Sequence, residues 1–187
     1  MACLKQLKTC DIYSLMSTKL IIALLLISLS SCQIADWQKI THYNDEVTTT
    51  NDSIYVKGKR IGEAVNKGMM TGDYSAATAK TDSLQLFVKN QIDFFSHKLD
   101  IDGSDTLRLA ELGYLKFEEN VIQQHFYKFG RFNGQTPENE VKQALSELAP
   151  IAAYDHTLFE QVSDVQVRYA KAHGFPFTKS TYKNMFQ

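Results

Sequence analysis

The chain has 187 residues, a formal net charge of −1, and a composition that is 44% hydrophobic and 22% charged. That length suits a single domain, and the hydrophobic share excludes an intrinsically disordered protein. No run of lysine or arginine supplies the basic face with which a nucleic-acid-binding protein neutralises phosphates, so we expect no nucleic-acid partner.

The amino-terminal segment has the layout of a secretory signal. Lys19 precedes an apolar run from Leu20 to Ile27, and small polar residues follow that run. The run is shorter than the roughly 20 apolar residues that a transmembrane helix needs. The tetrapeptide Leu29-Ser30-Ser31-Cys32 resembles the lipobox of bacterial lipoproteins, in which the chain is cleaved before the cysteine and the cysteine receives diacylglycerol.

The resemblance to lipoproteins divides the chain into three parts. It implies a signal peptide over residues 1–31 and a lipidated tether over residues 32–40, and the helical spacing described below predicts a helical bundle domain over residues 41–187. Cys32 is then the lipidation site, and acyl chains such as palmitate hold the protein on a membrane. Met16 begins a shorter signal of the same layout, so we expect it to be the true start. An ordinary signal peptide with a chance cysteine, or an uncleaved anchor, is the alternative interpretation.

The location that this resemblance implies is the cell envelope. In many Gram-negative bacteria an aspartate after the lipidated cysteine retains a lipoprotein at the inner membrane, and this chain has Gln33 there. We therefore expect the outer membrane, with the periplasmic or surface face left open. Cys3 and Cys10 precede the cleavage point, so the mature fold contains no disulfide.

Four later segments show the spacing of apolar residues that is typical of helices. They run from about Asp36 to Met70, from Asp73 to Leu99, from Ser104 to Phe129 and from Pro137 to His173. The connections between them are short, which makes successive helices antiparallel neighbours. The sequence therefore predicts an all-α fold, an up-down-up-down four-helix bundle.

Two local features modify this bundle. Pro150 lies inside the fourth segment and removes one backbone hydrogen bond, so we expect that helix to be kinked or broken near Leu148. Gly58, Gly62 and Gly68 lie in the first segment, where each costs about 1 kcal/mol relative to alanine. They either weaken this helix or permit a neighbouring helix to approach closely.

An acidic loop from Asp100 to Asp105, with Glu111 at the twelfth position, resembles a calcium-binding loop. The EF-hand pattern requires glycine at the sixth position to make the turn. Here Gly103 is fourth, and the sixth residue is Asp105. We interpret the loop as a polar turn between helices that its own acidic side chains cap.

Other titratable residues form no strong pattern for chemistry. Asp93 and His97 share a helical face, but antiparallel packing separates His97 from His125, so we expect no metal and no cofactor. Glu118 and Glu119 are adjacent and point about 100° apart, which favours a solvated face. The chain has no nucleophile elbow, phosphate loop, zinc-protease motif or Cys-x-x-Cys pair. We therefore predict no catalytic residue.

The aromatic run from Phe126 to Phe132 contains four aromatic and two basic residues. Such a run can line a ligand pocket or close the end of a bundle, and we favour the closing role. The stretch from Tyr169 to Phe175 resembles the end of a family of uncharacterised helical surface lipoproteins of bacteria. That resemblance implies no activity.

Three functions follow in order of preference. The first is a non-catalytic envelope lipoprotein whose helical face binds an envelope protein or another envelope component. The second is a small-molecule binder or carrier with a cavity between helices, near Phe117, Phe126 and Tyr154. The third is an enzyme, a hydrolase that acts on envelope material.

Overall fold

A computed structural model describes the backbone of residues 3–177 and the side chains of residues 37–177. Every regular element in this part of the chain is helical. The elements are α1 (Cys3–Thr71), α2 (Ser75–His97), α3 (Asp105–Val121), a π-helical segment (Ile122–Phe126), α4 (Tyr127–Phe129), α5 (Glu138–Ser146) and α6 (Leu148–Ala172).

The chain divides into two compact units, with the boundary between Ile40 and Thr41. Helix α1 begins at Cys3, well before the start near Asp36 that the spacing of apolar residues predicts. The apolar run from Leu20 to Ile27 is rich in leucine, a strong helix former, and contains no glycine or proline, which favours the longer helix. The side chain of Cys32 and those of the expected signal peptide lie outside the described residues. Within the part that was searched, no helix has the length and apolarity of a membrane span.

Helices α1 and α2 form an antiparallel pair. The Thr50 hydroxyl on α1 donates a hydrogen bond to the side-chain oxygen of Gln91 on α2, 3.0 Å away. Closer to the connection between the helices, Lys57 Nζ donates to Ser83 Oγ at 3.4 Å. Residue numbers therefore rise along one helix as they fall along the other.

Helix α3 continues this alternation. Gln85 Nε2 on α2 donates to Glu119 Oε1 on α3 at 3.4 Å, and the Tyr127 hydroxyl donates to Asp82 at 3.0 Å. Two edge-to-face ring pairs join α3 to α6, Tyr114 with Phe159 at 6.3 Å and Phe117 with Tyr154 at 5.2 Å. Gln166 Nε2 on α6 donates to the backbone carbonyl of Asn44 on α1 at 3.1 Å, which closes the bundle. The predicted up-down-up-down four-helix bundle is confirmed.

The predicted fourth helix is broken into α5 and α6 close to Pro150. Helix α5 ends at Ser146 and α6 begins at Leu148, with Glu147 between them. Pro150 has no amide to donate to the carbonyl of Ser146, and its ring crowds that carbonyl. The predicted break near Leu148 is confirmed.

The core combines aromatic and aliphatic side chains with a smaller polar set. The largest fully buried apolar side chains are Tyr43, Tyr114, Phe95, Phe129, Leu84 and Leu107. At the end of the bundle that contains the α1–α2 connection, a Cβ atom at Gly68 would lie 2.5 Å from the Tyr74 ring, so glycine is what permits this close approach. Phe132 packs edge-to-face on Tyr74 and on Phe129, with 5.7 Å between ring centroids in both pairs. The aromatic run thus closes this end of the bundle, as predicted.

Candidate ligand-binding cavity

A cavity of about 480 Å³ lies between α1, α3, the π-helical segment and the α5–α6 arm. This volume falls within the range of about 300–1,000 Å³ that small-molecule sites occupy. Its walls are mainly apolar, and they include Ile54, Ile61, Leu84, Val121, Leu148 and Ile151. The cavity therefore has the size and the lining of a site for a small, largely apolar molecule.

Two glycines on α1 leave this space open. Gly58 and Gly62 are four residues apart, so they share one helical face, and both line the cavity. A Cβ atom built on either glycine would meet no atom within 4 Å. Of the two alternatives left open for these glycines, close approach applies at Gly68 and not at Gly58 or Gly62. Here the missing side chains leave volume unfilled.

The π-helical segment shapes the opposite wall. A π turn inserts an extra residue into a helix and is frequently found at functional sites. Within this segment Ile122 is buried in the core, while Phe126 lines the cavity together with Phe129. The aromatic run therefore has two roles, because Phe126 and Phe129 face the cavity and Phe132 closes the end of the bundle.

A pair of carboxyl groups supplies the polar part of the lining. Glu118 on α3 and Asp155 on α6 both line the cavity, and Glu118 is only 7% exposed. Burial, a hydrogen bond with Asp155 and the charge of Asp155 hold the pKa of Glu118 well above its usual range. The burial of Glu118 and the adjacent Asp155 carboxyl group therefore both favour the protonated form of Glu118.

Asp155 is partly exposed, and its carboxyl group shares a hydrogen bond with that of Glu118. The cavity thus offers an acidic contact in a mainly apolar setting.

The remaining charged groups of the lining lie at its edge. Lys59 and Glu63 are exposed on α1, one helical turn apart, and Gly62 between them is exposed as well. This edge is therefore the mouth of the cavity. The formal charges of Lys59 and Glu63 cancel, so the carboxyl pair determines the net charge that a bound molecule meets.

The three aromatic residues expected beside a cavity are only partly brought together. Phe126 lines it. Phe117 and Tyr154 instead pack edge-to-face on each other, with ring planes at 74°, and Tyr154 is 55% exposed. They do not line the cavity. Their rings hold α3 against α6 close to the carboxyl pair.

The prediction that Glu118 and Glu119 form a solvated face is wrong for Glu118. Glu119 accepts the hydrogen bond from Gln85 at the surface of the α2–α3 contact, whereas Glu118 is buried. A signal for this burial was present in the sequence. Glu118 lies four residues after Tyr114 and four before Ile122, on the apolar stripe of α3.

The acidic loop is a capped turn, as interpreted from the sequence. Asp100 Oδ1 accepts hydrogen bonds from Ser104 Oγ at 3.2 Å and from the backbone amide of Asp105 at 2.9 Å. Glu111 does not reach this loop; it is fully buried and accepts a hydrogen bond from Asn51 Nδ2 at 3.2 Å. Among the residues searched, no cluster of three histidine, cysteine or acidic side chains could hold a metal ion.

No protein-family model, curated protein or solved structure matches the chain. Function is therefore inferred from the cavity, from the charges that line it and from the amino-terminal motif.

Proposed function

We propose that the chain is a lipid-anchored envelope lipoprotein whose helical bundle binds a small, largely apolar molecule. The observation that carries the proposal is the cavity of about 480 Å³, whose mainly apolar walls include the buried Glu118 beside Asp155. Small-molecule sites characteristically combine such walls with a few polar groups that orient the ligand. The anchor belongs to the same proposal and rests on the lipobox that ends at Cys32.

The glycines support a binding role over an accidental packing defect. A Cβ atom on either glycine would meet no atom within 4 Å, so alanine at either position would cause no clash. Glycine costs about 1 kcal/mol relative to alanine within a helix. Gly58 and Gly62 therefore give up helix stability and leave open space beside the cavity, which supports an occupant.

The proposal is tested by filling the mouth of the cavity. In the Gly62→Leu variant the new side chain occupies volume that a ligand would use, so binding of an uncharged apolar dye such as phenylnaphthylamine weakens at least about tenfold, or ~1.4 kcal/mol. Dye fluorescence, titrated with purified protein, measures the affinity.

Gly113→Leu is the matched control. Gly113 lies on α3, a Cβ atom there also meets no atom within 4 Å, and the residue does not line the cavity. This variant is expected to bind the dye like the original chain. Equal affinities in all three proteins, or no dye binding to the original chain, would contradict a binding role for the cavity.

An envelope protein partner remains a prediction from the sequence. The cavity favours the small-molecule role, because it provides a defined volume, an apolar lining and an acidic contact.

A further inference from the structure

The polar part of the cavity is acidic and lacks a cationic partner. The Glu118 side chain is only 7% exposed, and it lines the cavity beside Asp155. Within residues 37–177, neither carboxyl group forms an ion pair with a lysine, arginine or histidine. The nearest positive charge of the lining is Lys59, which is exposed at the mouth and lies one turn from Glu63.

This charge distribution selects among ligand classes. Two carboxyl groups lie side by side in a mainly apolar lining, where a negative charge is costly unless a positive group compensates it. An anionic ligand would add negative charge beside these acidic groups. An alcohol supplies one neutral donor, whereas an ammonium group supplies three donors together with the missing positive charge.

We propose that the cavity binds an amphiphilic amine, with its hydrocarbon body against the apolar walls and its primary ammonium group on Glu118 and Asp155. The two carboxyl groups, which lie together in the lining of the cavity, accept the ammonium N–H groups. Hydrogen bonds between charged partners of this kind are stronger than neutral ones. The inference deepens the proposed binding function and rests on it.

A matched series of ligands separates the two proposals. Hexylamine, hexanol and hexanoate share one hydrocarbon chain and differ in the charge of the head group. In displacement of phenylnaphthylamine at neutral pH, hexylamine is expected to bind at least about tenfold more tightly than hexanol, and hexanoate most weakly. If none of the three displaces the dye, the binding function itself fails. If hexylamine and hexanol displace it equally, the amine preference alone fails.

Isosteric variants place the preference on the carboxyl pair. Asp155→Asn and the double variant Glu118→Gln with Asp155→Asn remove negative charge while keeping side-chain volume, so they lose the preference for hexylamine and retain hexanol binding. A merely structural role for the pair would change affinity for both ligands alike.

Glu119→Gln is the control variant. It removes one negative charge from the next residue of α3, outside the cavity lining, so the ratio of the two affinities stays as in the original chain. An amine preference that survives in the double variant, or that disappears in Glu119→Gln, would overturn the assignment to Glu118 and Asp155.

Discussion

Glu111 is a second buried acid, and it lies in the core rather than on the cavity. Asn51 Nδ2 donates to its Oε2, while Oε1 is buried and has no partner among the described side chains. Burial raises the pKa of Glu111 to about 8, and the hydrogen bond from Asn51 offsets only part of that effect. The side chain is therefore protonated in the folded protein at neutral pH.

This proton makes stability depend on pH. The pKa of a glutamate in the unfolded chain is about 4.3. Between about pH 5 and 8 the folded state therefore holds a proton that the unfolded state has lost. The stabilisation is complete below the unfolded pKa and is lost as pH rises through 8. The free energy of unfolding is expected to fall by about 1.4 kcal/mol per pH unit from this group, and Glu118 adds to the fall in the same direction.

Urea unfolding at pH 5 and pH 8 tests this prediction. Glu111→Gln removes one titrating group and is expected to reduce the pH dependence of the unfolding free energy, and adding Glu118→Gln is expected to reduce it further. Glu119→Gln serves as the control, because its pH dependence should match that of the original chain. An unchanged slope in Glu111→Gln would show that this carboxyl group is ionised in the fold.

At the scale of helices, local sequence signals predicted most of the architecture. Apolar residues at helical spacing indicated four helices, and Pro150 indicated the break, since both effects depend on residues within a few turns. The predicted cavity near Phe117, Phe126 and Tyr154 shares only Phe126 with the observed lining, and the α1 side of the lining was not predicted. It depends on which part of α6 lies opposite Gly58 and Gly62, and that register follows from packing across the whole bundle.

Local sequence signals and packing across the bundle also explain different properties of Glu118 and Glu119, which sequence analysis treated together. The apolar stripe of α3 passes through Glu118 and misses Glu119, so helical periodicity alone could have predicted which one is buried. That Glu118 meets a second carboxyl group could not be predicted, because Asp155 lies on another helix. Its partner is fixed only by the register of α3 against α6.

The end of α1 is a point where local conformation and tertiary packing coincide. Gly72 has a φ of 73°, in the left-handed region, and a Cβ atom there would lie 2.8 Å from Gly134 Cα. Gly72→Ala is expected to lower the free energy of unfolding by about 1–2 kcal/mol for the backbone conformation, and further for this contact. Urea titration measures the loss.

Gly174→Ala isolates the contribution of the contact. Gly174 has a similar φ of 70° at the end of α6, but a Cβ atom there meets nothing within 4 Å. This variant should therefore show the backbone cost alone. A loss in Gly174→Ala as large as that in Gly72→Ala would mean that the approach of Gly134 contributes nothing.

At the scale of the whole molecule, the proposed function joins a binding cavity to a lipid anchor. A single acyl chain gives only marginal membrane binding, whereas two or three chains give stable attachment. A bundle attached in this way would keep an apolar ligand in the envelope. The anchor and the cavity are independent parts of the proposal, so each requires its own test.

The anchor is tested through the cysteine that would carry it. In a bacterial host that processes lipoproteins, the chain is expected to incorporate labelled palmitate. The Cys32→Ser variant is expected to incorporate none, because diacylglycerol is attached through a thioether and serine has no sulfur to form it. Cys10→Ser is the control, since Cys10 precedes the expected cleavage point from either start, and it should be labelled like the original chain. If label persists in Cys32→Ser, or is absent from the original chain, the lipobox is a chance pattern. The proposal that the cavity acts at a membrane would then be wrong.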